Sequence, residues 1–239
     1  MRGFAVQAVI AAVSAATLAL SFSTAAQPHD FKIIGNSDQT QQIEQSLAAC
    51  PSLGATLDGL TKSVGFQQIR VTTSDETKRS GPFLAAVSGS EIIVAADWLA
   101  QQNQPYFDVR HEGEILPDNL CFDFGHLSDH VAHPVSPPTG PDINAWVKER
   151  LNAESRAFLR GWPFVLEAAR AKNSGRPLSQ AQIGDLLINL RYRFAFLQAL
   201  APNVTLKLSI TADGSIPETD ANIAAIAAVL SRSSIADLQ

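Results

Sequence analysis

The chain has 239 residues, of which 46% are hydrophobic, a composition typical of one globular domain with or without an appendage. Its formal net charge at pH 7 is −5, and it contains no run of basic residues. These features argue against nucleic acid as a partner.

The N-terminus has the features of a targeting segment. Arg2 supplies a positive charge, Ala5–Leu20 is apolar, and small residues at Thr24–Ala26 are suited to cleavage. A membrane anchor is the alternative, but the apolar run is short, contains polar residues and lacks a basic flank. We therefore predict a signal peptide over residues 1–26 and one mature domain over residues 27–239. The mature protein is expected to be periplasmic or secreted, with no stable membrane anchor after signal cleavage.

The first half of the mature chain predicts short strands and helices from the spacing of its apolar residues. In order, the predicted elements are an edge strand at Phe31–Ile34, a helix from Asn36 or Ser37 to Cys50, a helix at Leu53–Val64, a strand at Phe66–Thr72, a polar loop at Ser74–Ser80, a hairpin of Phe83–Val87 and Glu91–Ala95 turning at Ser88–Ser90, a short helix from Asp97, and an irregular segment at Gln104–Glu114.

The second half predicts mainly helices. They comprise a helix that Asp118 or Asn119 caps and Pro134 ends, a long helix from Asp142 to Lys172 interrupted at Gly161–Pro163, a helix at Gln180–Ala201 capped by Ser179, a short strand at Leu206–Ile210 followed by a turn at Asp213–Gly214, and a final helix at Asp220–Arg232. This order predicts an α+β fold, with a small hairpin-containing sheet packed on a central histidine-bearing helix. The C-terminal half, from about residue 142, is expected to be mostly helical.

Cys50 and Cys121 are the two cysteines of the chain. An even number of cysteines in an exported protein predicts a disulfide. It would tie the end of the first helix to the start of the histidine helix. Two buried free thiols are the alternative.

The histidine helix carries four groups that can bind a metal or a proton. At about 100° per residue, His126, Asp129, His130 and His133 share a face roughly 100° wide. Imidazoles at positions i and i+4 can hold one ion between them. The alternative is that these histidines bind each other and nearby carbonyl groups. We interpret the pattern as a metal or proton-handling site.

The His126-Leu-Ser-Asp-His130 motif, on a helix that follows a strand, and Glu154 on a second long helix resemble the zincin metallopeptidases. Within them the layout is most similar to the glutamate-ligand branch and covers roughly residues 40–170. The resemblance implies that His126, His130 and Glu154 bind zinc, and that a peptide or protein is the partner. The alternative for Glu154 is an ion pair with Arg150, four residues earlier.

The motif departs from the family at one position. Leu127 stands where the family has the glutamate that takes a proton from zinc-bound water, and leucine cannot accept one. Asp129 is the candidate replacement base by analogy with an inverted motif, His-x-x-Glu-His. Its alternative is a carboxylate that orients a neighbouring histidine. His133 is an alternative third ligand or a neighbour at the mouth of a cleft.

Arg191 and Tyr192 form a polar group within an otherwise apolar helix. They are candidates to stabilise an oxyanion or to hold a substrate carboxylate. The alternative is pairing with acids such as Asp185, or burial of their apolar stems along the core.

The sequence thus favours an exported zincin-like protein that binds a divalent metal and has lost ordinary peptidase chemistry. One alternative is an atypical but active metallohydrolase that uses Asp129 as its base. Another is a non-enzymatic binding or inhibitor module in which the histidines are structural.

Overall fold

The structure, a computed structural model, describes residues 28–80, 85–101, 115, 117–136, 142–189 and 206–232. Its strands are β1 (Lys32–Ile34), β2 (Gln68–Thr72), β3 (Ala85–Ser88) and β4 (Glu91–Ala95). Its helices are α1 (Ser37–Ala49), α2 (Pro51–Val64), α3 (Ser74–Ser80), α4 (Ala96–Gln101), α5 (Asn119–Ala132), α6 (Ile143–Lys172), α7 (Gln180–Asn189) and α8 (Asp220–Leu230). The described chain therefore mixes α and β structure and is mostly helical.

The strands form one four-stranded mixed sheet in the order β1-β2-β4-β3. β1, β2 and β4 are parallel, and α1 and α2 make the crossover between β1 and β2. β3 pairs with β4 in antiparallel fashion, with Ser88 opposite Glu91, so two residues make the turn. The first of them, Gly89, has a φ of 61°, which glycine adopts without steric cost. The predicted hairpin and edge strand are confirmed.

Two apolar clusters form the core, and α5 contributes to both. The cluster between the sheet and α1, α2 and α5 includes Ile43, Leu47, Leu53, Leu57, Ile69, Ile92, Val94, Phe124 and Leu127. The cluster between α6, α7 and α8 includes Phe122, Phe158, Trp162, Val165, Leu186, Ile226 and Val229. Because Phe122 faces one cluster while Phe124 and Leu127 face the other, α5 is buried on most sides and is the central helix that the sequence predicts.

α5 and α6 run antiparallel at close range. Asp118 approaches Lys172 at one end of the pair, at 3.9 Å, and His130 approaches Glu154 at the other. A Cβ atom added to Gly161 would lie 2.8 Å from the backbone oxygen of Phe122, so the two backbones fit only because this residue lacks a side chain. This packing brings residues of the two helices within bonding distance.

We expect Gly161→Ala to lower the free energy of unfolding by about 1–3 kcal/mol, because the added methyl group must push the two helices apart. Gly59→Ala is the matched control. Gly59 lies in helix α2 and has no neighbour within 4 Å of an added Cβ, so this change should stabilise by roughly 0.5–1 kcal/mol. Urea unfolding followed by circular dichroism measures both effects. Equal stabilisation by the two substitutions would contradict the close helix contact.

The loop predicted at Ser74–Ser80 is wrong, because this segment is helix α3. Its polar residues are held by contacts with strand β2 and helix α4. Glu76 forms an ion pair with Arg70 of β2 at 2.8 Å, and Ser74 bonds Asp97 of α4. Thr77 is fully buried. Tertiary contacts therefore stabilise a helix that has no apolar periodicity.

The predicted interruption at Gly161–Pro163 is also wrong, since α6 is one helix of 30 residues that contains Pro163. Proline removes one helical hydrogen bond. Packing around it keeps the helix intact: Trp162 is fully buried, and its indole N–H donates to the oxygen of Gly214 at 2.8 Å.

Leu206–Ile210 was predicted as a strand, but no sheet ladder includes it in the part of the chain that the structure describes. Instead the buried side chain of Asn222 holds the segment. Its oxygen accepts from the Ser209 backbone N–H at 2.8 Å, and its amide donates to the Ser209 oxygen at 3.2 Å. The turn predicted at Asp213–Gly214 is confirmed, with Gly214 at a φ of 87°.

Several predicted segments lie outside the described residues: the signal peptide at 1–26, the irregular segment at 104–114 and the end of the helix predicted to reach 201. Within the described ranges, none of the helices combines the length and apolar character that a membrane span requires.

Candidate metal centre

Helix α5 is fixed at both ends by its own sequence. The Asp118 carboxylate accepts from the backbone N–H of Cys121 at 3.2 Å and caps the N-terminus. His133 forms the C-cap, and Pro134 follows it. Between these ends, His126 and His130 lie one turn apart on the same side of the helix. Their Nε2 atoms are 3.1 Å apart.

Helix α6 brings Glu154 to this pair of histidines. Its Oε1 lies 3.0 Å from Nε2 of His126, and its Oε2 lies 2.9 Å from Nε2 of His130. The three side chains therefore converge, and the carboxylate of Glu154 faces the two histidines rather than Arg150. The group could hold a metal ion, since each residue offers one ligand atom within 4.8 Å of the others.

The distances in this group are close to those of a coordination polyhedron. With ligand bonds of about 2.0–2.1 Å, tetrahedral zinc places its ligand atoms roughly 3.3–3.4 Å apart. The two imidazole nitrogens, 3.1 Å apart, need only a small expansion to reach that spacing. The Glu154 carboxylate offers each of them a different oxygen, at 3.0 and 2.9 Å, and one ligand atom from each of the three residues lies within 4.8 Å of the others. Two imidazoles and one carboxylate also leave a fourth position for another ligand, as catalytic zinc sites do.

The group is buried on one side and open on the other. The side chain of His126 is 6% exposed, whereas those of His130 and Glu154 are 25% and 24% exposed. Burial alone would raise the pKa of the Glu154 carboxyl. The charges and hydrogen bonds of His126 and His130 nevertheless hold that pKa well below its usual range. Glu154 is thus kept as a carboxylate, the form in which it binds a cation.

Aromatic packing fixes the ring of His126. The rings of Phe122 and Phe158 lie 6.1 and 6.3 Å from it, centroid to centroid, and contact each other edge to face. The Nδ1 atom of His126 is buried and has no hydrogen-bond partner among the described residues. The ring orientation that points Nε2 at Glu154 is therefore set by packing rather than by a hydrogen bond to Nδ1.

Asp129 and His133 form a second polar contact and do not join the first group. His133 Nδ1 lies 2.8 Å from Asp129 Oδ1, and Arg160 of α6 also binds Asp129. Arg160 in turn binds both carboxylate oxygens of Glu218, at 2.8 and 3.0 Å. The predicted four-residue face is therefore divided into two stripes, with His133 64% exposed at the end of the helix.

Leu127 and the disulfide lie on the sheet side of α5. Leu127 is 8% exposed and packs in the first core cluster, with Val131 one turn further on. The predicted disulfide between Cys50 and Cys121 is confirmed, and it joins the α1–α2 junction to the first turn of α5. Leu127 thus belongs to the apolar core and not to the ligand group.

Sequence reasoning missed Arg160 and Glu218, which lie 58 residues apart in the chain. No local pattern marks them, because each is an ordinary charged residue on a helix or before one. Arg191 and Tyr192, the candidate groups for an oxyanion or a substrate carboxylate, lie outside the described residues.

Comparison with known proteins adds no relative. No family model, curated protein or solved structure matches the chain. What the site can do chemically is therefore argued from its own residues.

Proposed function

We propose that this is an exported zincin-like protein that binds a divalent cation, zinc, through His126, His130 and Glu154. One observation carries the proposal: the Nε2 atoms of His126 and His130 lie 3.1 Å apart, and the carboxylate of Glu154 on the next helix has an oxygen within 3.0 Å of each of them. Imidazole nitrogen suits zinc, and a carboxylate completes a ligand set that leaves room for a further ligand. Bound zinc would supply a Lewis acid at the open side of the group.

We further propose that ordinary peptidase chemistry has been lost. Leu127 has no group that accepts a proton, and it packs in the core. The carboxylate of Asp129 already accepts from Arg160 and contacts His133, so the structure gives no support to its use as the base of an active hydrolase. The protein would then use its metal to bind rather than to cleave.

A peptide or protein is the partner that this proposal favours. β3 is an edge strand of the sheet and contacts α5, the helix that carries both histidines. Extended peptides can add to the edge of a sheet through backbone hydrogen bonds. Export is supported by the disulfide between Cys50 and Cys121, since disulfides persist in oxidising compartments.

Metal analysis of the mature protein, purified without a histidine tag, tests the proposal. We expect about one zinc per chain. Loss of a hydrogen bond that supports a metal ligand weakens metal binding by roughly 10- to 100-fold. Loss of a ligand should weaken zinc binding by more than this, which His126→Ala, His130→Ala and Glu154→Gln test one at a time. His133→Ala is the matched control, because this histidine lies on the same helix but outside the group, and it should retain zinc.

The alternatives predict different results. A protein without metal, unchanged by chelators, would favour the non-enzymatic module with structural histidines. Hydrolysis of casein or of a peptide library that Asp129→Asn abolishes would favour the active metallohydrolase.

A further inference from the structure

Arg160 of α6 binds two acids that belong to separate parts of the fold. Its Nη1 donates to Asp129 on α5, and its Nε and Nη2 donate to the two oxygens of Glu218, at 2.8 and 3.0 Å. Glu218 directly precedes Thr219, the N-cap of α8. One guanidinium thus joins α5, α6 and the start of α8.

Asp129 depends on this contact. Its side chain is 7% exposed, and its partners among the described residues are Arg160 and the exposed His133. A buried carboxylate that loses its cationic partner is strongly destabilised. The position of α5 next to α6 is therefore coupled to the presence of Arg160.

The contact of Asp129 also restricts rotation of α5. Asp129 and His130 are neighbours in sequence, so their side chains leave α5 about 100° apart. His130 is attached to Glu154, and Asp129 is attached to Arg160, roughly 9 Å further along α6. Two attachments at different angles and heights add to the core packing of α5 and restrict its rotation further. Aromatic packing sets the ring of His126, and these attachments set the side of α5 that both histidines present to Glu154.

We propose that Arg160 is a positioning residue for the metal group formed by His126, His130 and Glu154. Because Arg160 also binds Glu218, the segment that precedes α8 helps to hold Arg160 in place. This inference rests on the proposed function, because it concerns the same three ligands. Arg160 itself does not touch the ligand atoms. It acts on them through Asp129 and the rotation of α5.

Zinc and cobalt(II) titrations of Arg160→Met test the inference, with Arg170→Met as the matched control. Arg170 lies on the same helix, its side chain is 39% exposed against 38% for Arg160, and it also binds an acid-bearing segment, through the oxygen of Asp213 at 3.0 Å. We expect Arg160→Met to lower zinc affinity about tenfold and to shift the visible absorption bands of bound cobalt. Arg170→Met should change neither. Arg160→Lys, which keeps the charge but not the planar fork, should fall between wild type and Arg160→Met.

The possible outcomes separate the two proposals. A wild-type protein that binds no metal ends both of them. A wild type that binds zinc, with unchanged affinity and cobalt spectrum in folded Arg160→Met, ends the positioning role alone. If Arg160→Met fails to fold by circular dichroism, Glu218→Gln replaces it, since this change removes only the negative charge of the outer partner. A loss of zinc affinity in that variant supports the role of the segment before α8, and unchanged affinity overturns it.

Discussion

Saturating zinc should raise the melting temperature of the mature protein by roughly 5–11 °C, and Glu154→Gln should lose this increase. A ligand at about 100 times its dissociation constant stabilises the folded state by roughly 2.7 kcal/mol. For a chain of this size, each kcal/mol shifts the melting temperature by about 2–4 °C. Glu154 contributes one of three ligand atoms and the only formal negative charge among them, so its amide analogue should hold zinc poorly. Calorimetry or thermal circular dichroism, with and without zinc, measures the shift.

Two controls locate the zinc that produces this shift. His133→Ala should keep the full increase, because its imidazole contacts Asp129 and lies outside the ligand group. Addition of a chelator should return the wild type to the melting temperature of the metal-free protein. An equal zinc-dependent increase in Glu154→Gln would show that zinc binds elsewhere on the chain.

Local sequence signals were sufficient to predict the helices whose ends are marked by capping residues. The side chain of Asn36 accepts from the backbone N–H of Gln39 at 3.0 Å, and the side chain of Gln39 accepts from the backbone N–H of Asn36 at 2.9 Å. This capping box starts α1 where the sequence predicts it. Gly65 ends α2 with a φ of 74°, which a residue with a side chain rarely adopts. Such signals act within a few residues, and they can be read without knowledge of the fold.

The wrong predictions have a common physical cause. Helix α3 depends on the ion pair between Glu76 and Arg70, and the continuity of α6 through Pro163 depends on the burial of Trp162 against the turn at Gly214. Each contact joins parts of the chain that local propensity does not connect. Tertiary packing overrides weak local preference in each case.

The residues of the candidate site could be named from the sequence, but their surroundings could not. Helical spacing indicated the two histidines, one turn apart on a predicted helix, whereas Glu154 was expected beside them only through the resemblance to the zincins. The helical wheel placed four residues in one group, but the structure divides them into two. Helix α6 presents Glu154 to His126 and His130, and Arg160 to Asp129. Which side chains of a face act together is decided by the neighbouring element, and a helical wheel contains no information about it.

Loss of the disulfide should strongly destabilise this fold. Cys50 and Cys121 are 71 residues apart, and opening a loop of that length costs about 4 kcal/mol in the chain-entropy model. For a chain of this size, the expected fall in melting temperature is roughly 8–16 °C. The double variant Cys50→Ala, Cys121→Ala measures it by thermal or urea unfolding.

The two alanines also leave a small cavity in place of the buried sulfur atoms, which lowers stability by itself. Unfolding of the wild type in reductant separates this effect from loss of the cross-link, because reduction keeps both sulfur atoms. Reduction should bring the wild type close to the double variant, whereas the same reductant should leave the double variant unchanged. The disulfide joins the first turn of α5 to the α1–α2 junction, so its opening releases the N-terminal end of the helix that carries both histidines. If the double variant kept the stability of the oxidised wild type, the packing of α5 between the two core clusters would be sufficient to hold it, and the cross-link would not be what anchors this helix.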